Sequence, residues 1–157
     1  MEYERILDKE FDLVRDCKDQ ADRMRRAASR LTAALADLLN SEYPVEAWGT
    51  TFTPDEDGIG AEFKSPFGEA RVVVSIGLGS EGVQARYSFE KKFTDEHDKP
   101  SFTPVWAVRV TARALVRPYK GDEVLLDLNA HSENERDRGA IEIALSALYA
   151  IANCEKY

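Results

Sequence analysis

The stretch Trp106-Ala107-Val108-Arg109-Val110-Thr111-Ala112-Arg113-Ala114-Leu115-Val116-Arg117 sets Trp106, Val108, Val110, Ala112, Ala114 and Val116 on one parity. Arg109, Thr111, Arg113, Leu115 and Arg117 fall on the other. Successive side chains of a strand leave opposite faces, so these residues read as one half-buried strand, apolar inward and arginine-rich outward. A period of 2 sustained this long does not suit a helix.

The same alternation extends upstream. Residues 45–53 are rich in Thr and aromatics, and Ile59, Ala61 and Phe63 alternate with Gly60, Glu62 and Lys64 across the turn residues Pro54-Asp55-Glu56-Asp57-Gly58. After the turn Ser65-Pro66-Phe67-Gly68, Ala70, Val72, Val74, Ile76 and Leu78 form a third alternating series. Val83, Ala85, Tyr87 and Phe89 form a fourth, beyond Gly79-Ser80-Glu81-Gly82. Residues 94–103, with Pro100, read as a polar loop before the strand at 106–117. Tyr119-Lys120-Gly121-Asp122 then turns the chain into a short strand from Val124 to Leu128. Six strands joined by short turns predict an antiparallel meander over 45–128.

Helical spacing brackets this sheet. No Pro or Gly occurs from Glu2 to Asn40, and Leu7, Val14, Ala21, Ala28 and Leu35, with Cys17, Met24, Leu31 and Leu38, recur at heptad positions. Asn40-Ser41 and Pro44 mark the stop, predicting one long helix over 1–40. At the other end Ser132 and Glu135 match a capping box. Residues 140–152 are apolar nearly all round, which predicts a helix over 132–155 packed on the sheet. The expected fold is a single α+β domain spanning 1–157: long N-terminal helix, six-stranded antiparallel meander, C-terminal helix.

Composition agrees with one domain. The 157 residues are 43% hydrophobic and 32% charged, and a chain of this length buries roughly two-thirds of its unfolded surface without disulfides or a structural metal. The net charge of −8 opposes the phosphate attraction behind most nucleic-acid binding, so no direct nucleic-acid partner is expected. Cys17 and Cys154 lack metal or disulfide spacing and read as half-buried thiols. The charged N-terminal stretch has no apolar run, so neither a signal peptide nor a membrane segment is expected, which points to a cytoplasmic protein.

Several motifs invite chemistry and yield to simpler readings. Gly77-Leu78-Gly79-Ser80-Glu81-Gly82 is formally G-x-G-x-x-G, yet a strand comes after it where a dinucleotide site needs a helix, so it reads as a hairpin. Asp55-Glu56-Asp57 lacks the later ligands of a calcium loop. Asp95, Glu96, His97 and Asp98 are too close together to converge on one ion. Asp127, His131, Glu133, Glu135 and Asp137 suit the start of a helix. No nucleophile elbow, Walker sequence or H-E-x-x-H occurs. No catalytic residue, metal or cofactor is therefore expected.

Two features remain. By strand parity Arg71, Arg86, Arg109, Arg113 and Arg117 share the polar sheet face, a basic surface on an acidic protein. Arginine there suits bidentate contact with carboxylate or phosphate, as in an acidic partner segment or an anionic ligand; the simpler reading is a solvated face balanced by Glu62 and Glu90. The first helix is the other. Thirty-eight residues span roughly 57 Å, longer than the roughly 40 Å diameter of a compact domain of this size. Its apolar stripe needs cover, and residues 2–22 are net −4 against +3 for 23–40. An antiparallel homodimer through Leu7, Val14, Cys17, Ala21, Met24, Ala28, Leu31 and Leu35 satisfies both; the alternative is a helix lying on its own sheet, since Ile6, Leu13, Ala27 and Ala34 widen the stripe.

The expected function is that of a non-enzymatic interaction factor, an adaptor, chaperone-like protein or inhibitor that binds another protein. One alternative is a ligand or catalytic pocket between the sheet and the last helix, lined by Trp48, Tyr87, Trp106 and the sheet arginines. A third is an acidic inhibitor that mimics nucleic acid. In size and acidity the chain resembles small type III secretion chaperones. Those carry a helix within the strand series, which has no counterpart between Ala47 and Leu128.

Overall fold

The computed structural model describes residues 4–79 and 82–155; Ser80 and Glu81 of the expected turn, and the first three residues of the expected helix, lie outside them. The N-terminal helix is divided. Helix α1 (Asp8–Arg15) and helix α2 (Cys17–Leu39) meet at Asp16, whose φ of −90° and ψ of 0° lie at the edge of the right-handed helical region, its N–H still reaching Asp12 O at 3.2 Å. The helix begins at Asp8, residues 4–7 being non-helical, and is interrupted at Asp16 rather than unbroken over 1–40. Asn40 ends α2 as expected, and its carboxamide ties the helix end to the first strand: Nδ2 donates to Phe52 O at 2.6 Å and Oδ1 accepts from Phe52 N at 2.8 Å.

Residues 45–48 do not form a strand. With Pro44 they make one π-helical turn, Pro44–Trp48, ended by Gly49 at φ +64°. The sheet comprises strands β1 (Thr51–Pro54), β2 (Ala61–Ser65), β3 (Gly68–Gly79), β4 (Gly82–Thr94), β5 (Pro100–Thr111), β6 (Leu115–Pro118) and β7 (Leu126–Asp127). They pair antiparallel in sequence order, and helix α3 (Glu133–Asn153) closes the chain. The architecture is α+β with an antiparallel meander, and among the described residues no helix interrupts it. Nor is any described helix long and apolar enough to cross a membrane.

The sheet has seven strands because the single strand expected at 106–117 is two. Thr111 O accepts from Ala114 N at 3.0 Å, and Ala114 takes φ +60°. This is a tight turn closed by a left-handed residue, a position that glycine usually marks. Alanine there hides the turn from a reading of the sequence. Of the segment 94–103 expected as loop, residues 100–103 are the first part of β5. A tight turn precedes it, with Asp95 Oδ1 accepting from His97 N and Lys99 N, each at 2.8 Å. Beyond that turn β5 pairs with β4 through a bulge opposite Phe89 and Glu90. The bulge inverts the parity of β5, so Phe102 and Trp106 lie on opposite faces.

Both helices cover one face. Helix α2 lies on β4, β1 and β5, and α3 on β5, β7 and β3 beside it. Met24, Ala28, Leu31 and Leu35 of α2 and Ile143, Ala147 and Ile151 of α3 are wholly buried. Beneath them Phe52, Phe63, Phe89 and Tyr87 form an edge-on aromatic series with centroids 5.7–6.2 Å apart. Ser132 caps α3 as expected, its hydroxyl accepting from Glu135 N at 3.4 Å. The helix is not covered all round, because Ile141, Leu145 and Tyr149 line its outer side, Tyr149 being 73% exposed.

Two close fits hold α3. Lys91 occupies an inward position of β4 and is 9% exposed, and its Nζ donates to Ile151 O and Cys154 O, each at 2.8 Å. These carbonyls lack partners within the helix, and a cation suits that end of its dipole. Gly139 lets α3 approach the β7 edge: a Cβ there would stand 2.6 Å from Leu125 O. Lys91→Met is expected to cost about 2–3 kcal/mol, since it strands two buried acceptors, read as a lower urea midpoint with unchanged slope. Gly139→Ala is expected to destabilise by about 1–3 kcal/mol through overpacking, despite the alanine's better helix propensity; a raised thermal midpoint would show that the backbone yields.

Candidate functional site

Strands β4, β5 and β6 bring three arginines abreast. Arg86 lies opposite Arg109 in the β4–β5 register, and Arg109 lies opposite Arg117 in the β5–β6 register. Each sits beside inward residues, Ala85 and Tyr87, Val108 and Val110, or Val116, that are wholly buried. The arginines therefore project from the face that carries no helix. Neighbouring strands are about 4.8 Å apart, so the row spans roughly 10 Å.

The row also holds the connection after β6. Arg109 Nε donates to Pro118 O at 3.0 Å and Nη2 to Gly121 O at 2.5 Å, Arg117 Nη1 donates to Asp122 O, and the Arg86 guanidinium stacks 4.8 Å above the Tyr119 ring. These partners are carbonyl dipoles and a ring, which orient the cations without neutralising them. Among the described residues none of the three forms an ion pair with a carboxylate. Arg117 Nε is buried and has no hydrogen-bond partner among them. Like charges directly opposite one another destabilise a sheet, so this face keeps a charge that its described neighbours do not offset.

Around the end of the sheet the row runs into a cleft of about 550 Å³ lined by Gln20, Arg23, Gln84, Thr111, Arg113 and Arg117, among others. Three arginines from α2, the β5–β6 turn and β6 meet there, and no acidic residue lines it among the described residues. Arg113 thus belongs to the turn at the sheet's end and not to the flat face that parity assigns it. Arg23 is not among the candidates that the sequence offers; it lies on the exposed side of α2, and nothing local marks its approach to a turn 90 residues later.

Arg71 stands apart. Four residues along β4 from Arg86, roughly 13 Å away, Glu90 accepts from its Nε at 2.9 Å, and its guanidinium covers the Phe102 ring at 3.7 Å. Its charge is locally met. The expected pocket between the sheet and the last helix also fails on geometry, because the arginines and α3 occupy opposite faces. Tyr87 fills the interior, wholly buried; its hydroxyl lies 2.7 Å from Thr32 Oγ1, which donates to Ile59 O at 2.6 Å. Burial raises the phenol well above its ordinary pKa, only partly opposed by the Thr32 bond. Trp48 and Trp106 are half-buried against the core.

The acidic clusters serve turns. Asp57 Oδ1 accepts from Ile59 N at 2.9 Å, and Asp127 Oδ1 from Asn129 N at 2.9 Å. Of the helix stripe, Met24, Ala28, Leu31 and Leu35 are wholly buried on this chain's own sheet, so a dimer seam cannot run along them as the heptad spacing predicts. Cys17 and Ala21 are half-buried, while Leu7 and Val14 are half exposed. The arginine face and its cleft are what this fold displays, and no protein family, curated protein or solved structure matches the chain to say what they serve.

Proposed function

We propose that this protein is a non-enzymatic interaction factor that receives an acidic segment of another protein on its arginine face. The observation that carries this reading is the row Arg86, Arg109 and Arg117, side by side across three strands and without an ion-pair partner among the described residues. Their strand spacing of about 4.8 Å is close to the 5–6 Å between side chains one turn apart on a helix. An acidic helix laid across the strands would set successive carboxylates over successive guanidinium groups, whose planar forks favour bidentate contact. The carbonyls of residues 118, 121 and 122 preorient two of the three arginines, which lowers the entropy lost on binding. A second reading, favoured by the cleft of Arg23, Arg113 and Arg117, is that a small polyanion binds at the sheet's end.

The test is fluorescence anisotropy of a labelled Glu-rich helical peptide, with citrate as the small-anion competitor. Wild type is expected to bind, more weakly as salt rises, because exposed charges are screened. Arg86→Glu with Arg109→Glu is expected to weaken binding at least about tenfold, in line with the loss of charge-assisted contacts. Arg71→Gln is expected to leave it unchanged, since that side chain is already paired with Glu90. No binding, or equal binding by wild type and the double variant, overturns the proposal. Loss only on Arg23→Glu and Arg113→Glu, with displacement by citrate, moves the site into the cleft.

A further inference from the structure

The structure leaves an apolar strip uncovered where the chain begins. Helix α1 continues from the start of α2 across Asp16. It exposes Phe11 at 61% and Val14 at 50%, and Leu7, its N-cap, is 56% exposed; the three are spaced to share one helix face. The strip continues past Asp16, since Cys17 and Ala21 extend the same spacing into α2. There it opens into a groove of about 330 Å³ between helix and sheet, lined by Val14, Cys17, Ala21, Ile76, Leu78 and Val83, with Arg25 at its rim. Leu78, at the end of β3, is itself 56% exposed. An eight-residue helix has little stability of its own in water, and the strip on it is paired with a concave apolar groove on the same surface.

Charge selects the occupant. Residues 4–16 carry five acids and three bases, and residues 23–26 carry three arginines and no acid. Among the described residues neither Asp8 at one end nor Arg23 and Arg26 at the other has an ion-pair partner. A two-fold axis beside Asp16 lays two copies antiparallel. Phe11 of each copy then falls beside Ala21 of the other, and the acidic start of α1 comes alongside Arg23, Arg25 and Arg26. We propose that a second copy of this chain covers the strip, with Phe11 of each copy seated in the groove of the other. The interface is self-complementary, as two-fold symmetry requires, and uses only the N-terminal part of the helix. It buries none of Arg86, Arg109 and Arg117.

Sedimentation equilibrium of the full chain tests this. Wild type is expected to dimerise, and Phe11→Glu to weaken dimerisation about 30-fold or more, the effect of removing an interface anchor. Leu78→Glu removes the groove wall without altering α1 and is expected to act alike, with circular dichroism unchanged in both. Ile141→Glu, on the exposed side of α3, is expected to have no effect. In Cys154→Ser protein, a short bis-maleimide is expected to link two copies through Cys17, which lies next to the axis. A monomer at all concentrations overturns the proposal, as does a dimer indifferent to Phe11→Glu and Leu78→Glu. Dispersal by Ile141→Glu alone, or a dimer that does not link through Cys17, equally overturns it.

Discussion

One face of the sheet has to be dry, and α2 is what dries it. Its Met24, Ala28, Leu31, Leu35 and Leu39 are buried to within 1%, above the aromatic series of β1, β2 and β4. At about 25 cal/mol per Å² of apolar surface removed from water, such a layer contributes more than any polar contact in the molecule. Its placement decides the rest. Once α2 and α3 share the inner face, the alternate polar side chains on the strands beneath must look the other way. The arginine row is thus a consequence of the helices' position, and α1 prolongs α2 at its N-terminal end, joined to it at Asp16.

The period of 2 through residues 61–90 and the period of 3.6 before Asn40 are legible because both report burial on one side. What escapes depends on single atoms. Ala114 adopts a left-handed conformation without the glycine that would announce it, so the sequence reads as one strand where the fold has two. Parity still holds across that turn, since Val110 and Val116 pair in register and both face inward, and the arginines at 109 and 117 keep their common face. Arg113 sits in the turn itself, where parity has no meaning. Lys91 is detectable in principle: a lysine in the inward series Val83, Ala85, Tyr87, Phe89 and Lys91 requires a buried acceptor, and the carbonyls of Ile151 and Cys154 supply it. The cleft is not detectable, because Arg23 and Arg113 meet only through tertiary placement.

The places that break local rules differ in what compensates them. The buried Lys91 is offset by two helix carbonyls, and the left-handed Ala114 by the hairpin it closes; both are settled within the chain. The arginine row is not. Carbonyl oxygens from 118–122 satisfy some of its donors but bring no negative charge, while Arg71 on the same face has Glu90. A chain of net charge −8 has carboxylates to spare, so a row unpaired among the described residues is not a consequence of composition. Uncompensated departures of this kind are where a fold's requirements and its function separate.

The two uncovered surfaces converge on one end of the molecule. Gly82 at the start of β4 and the β5–β6 turn lie together there, and α2 passes between the two sites: Arg23 lines the basic cleft, while Arg25, two residues on, rims the apolar groove. A helix that serves both through adjacent turns ties their energetics together. Were a second copy to place the acidic start of its α1 beside Arg23, that copy would lower the positive potential of the cleft. An acidic partner bound on the arginine face would in turn oppose the approach of an acidic helix. Linkage makes that effect reciprocal, with one coupling free energy read from either side, and its electrostatic origin means that salt should diminish it. The acidity of the chain would then act at this end of the fold, each copy competing for the charge that an acidic partner would bind.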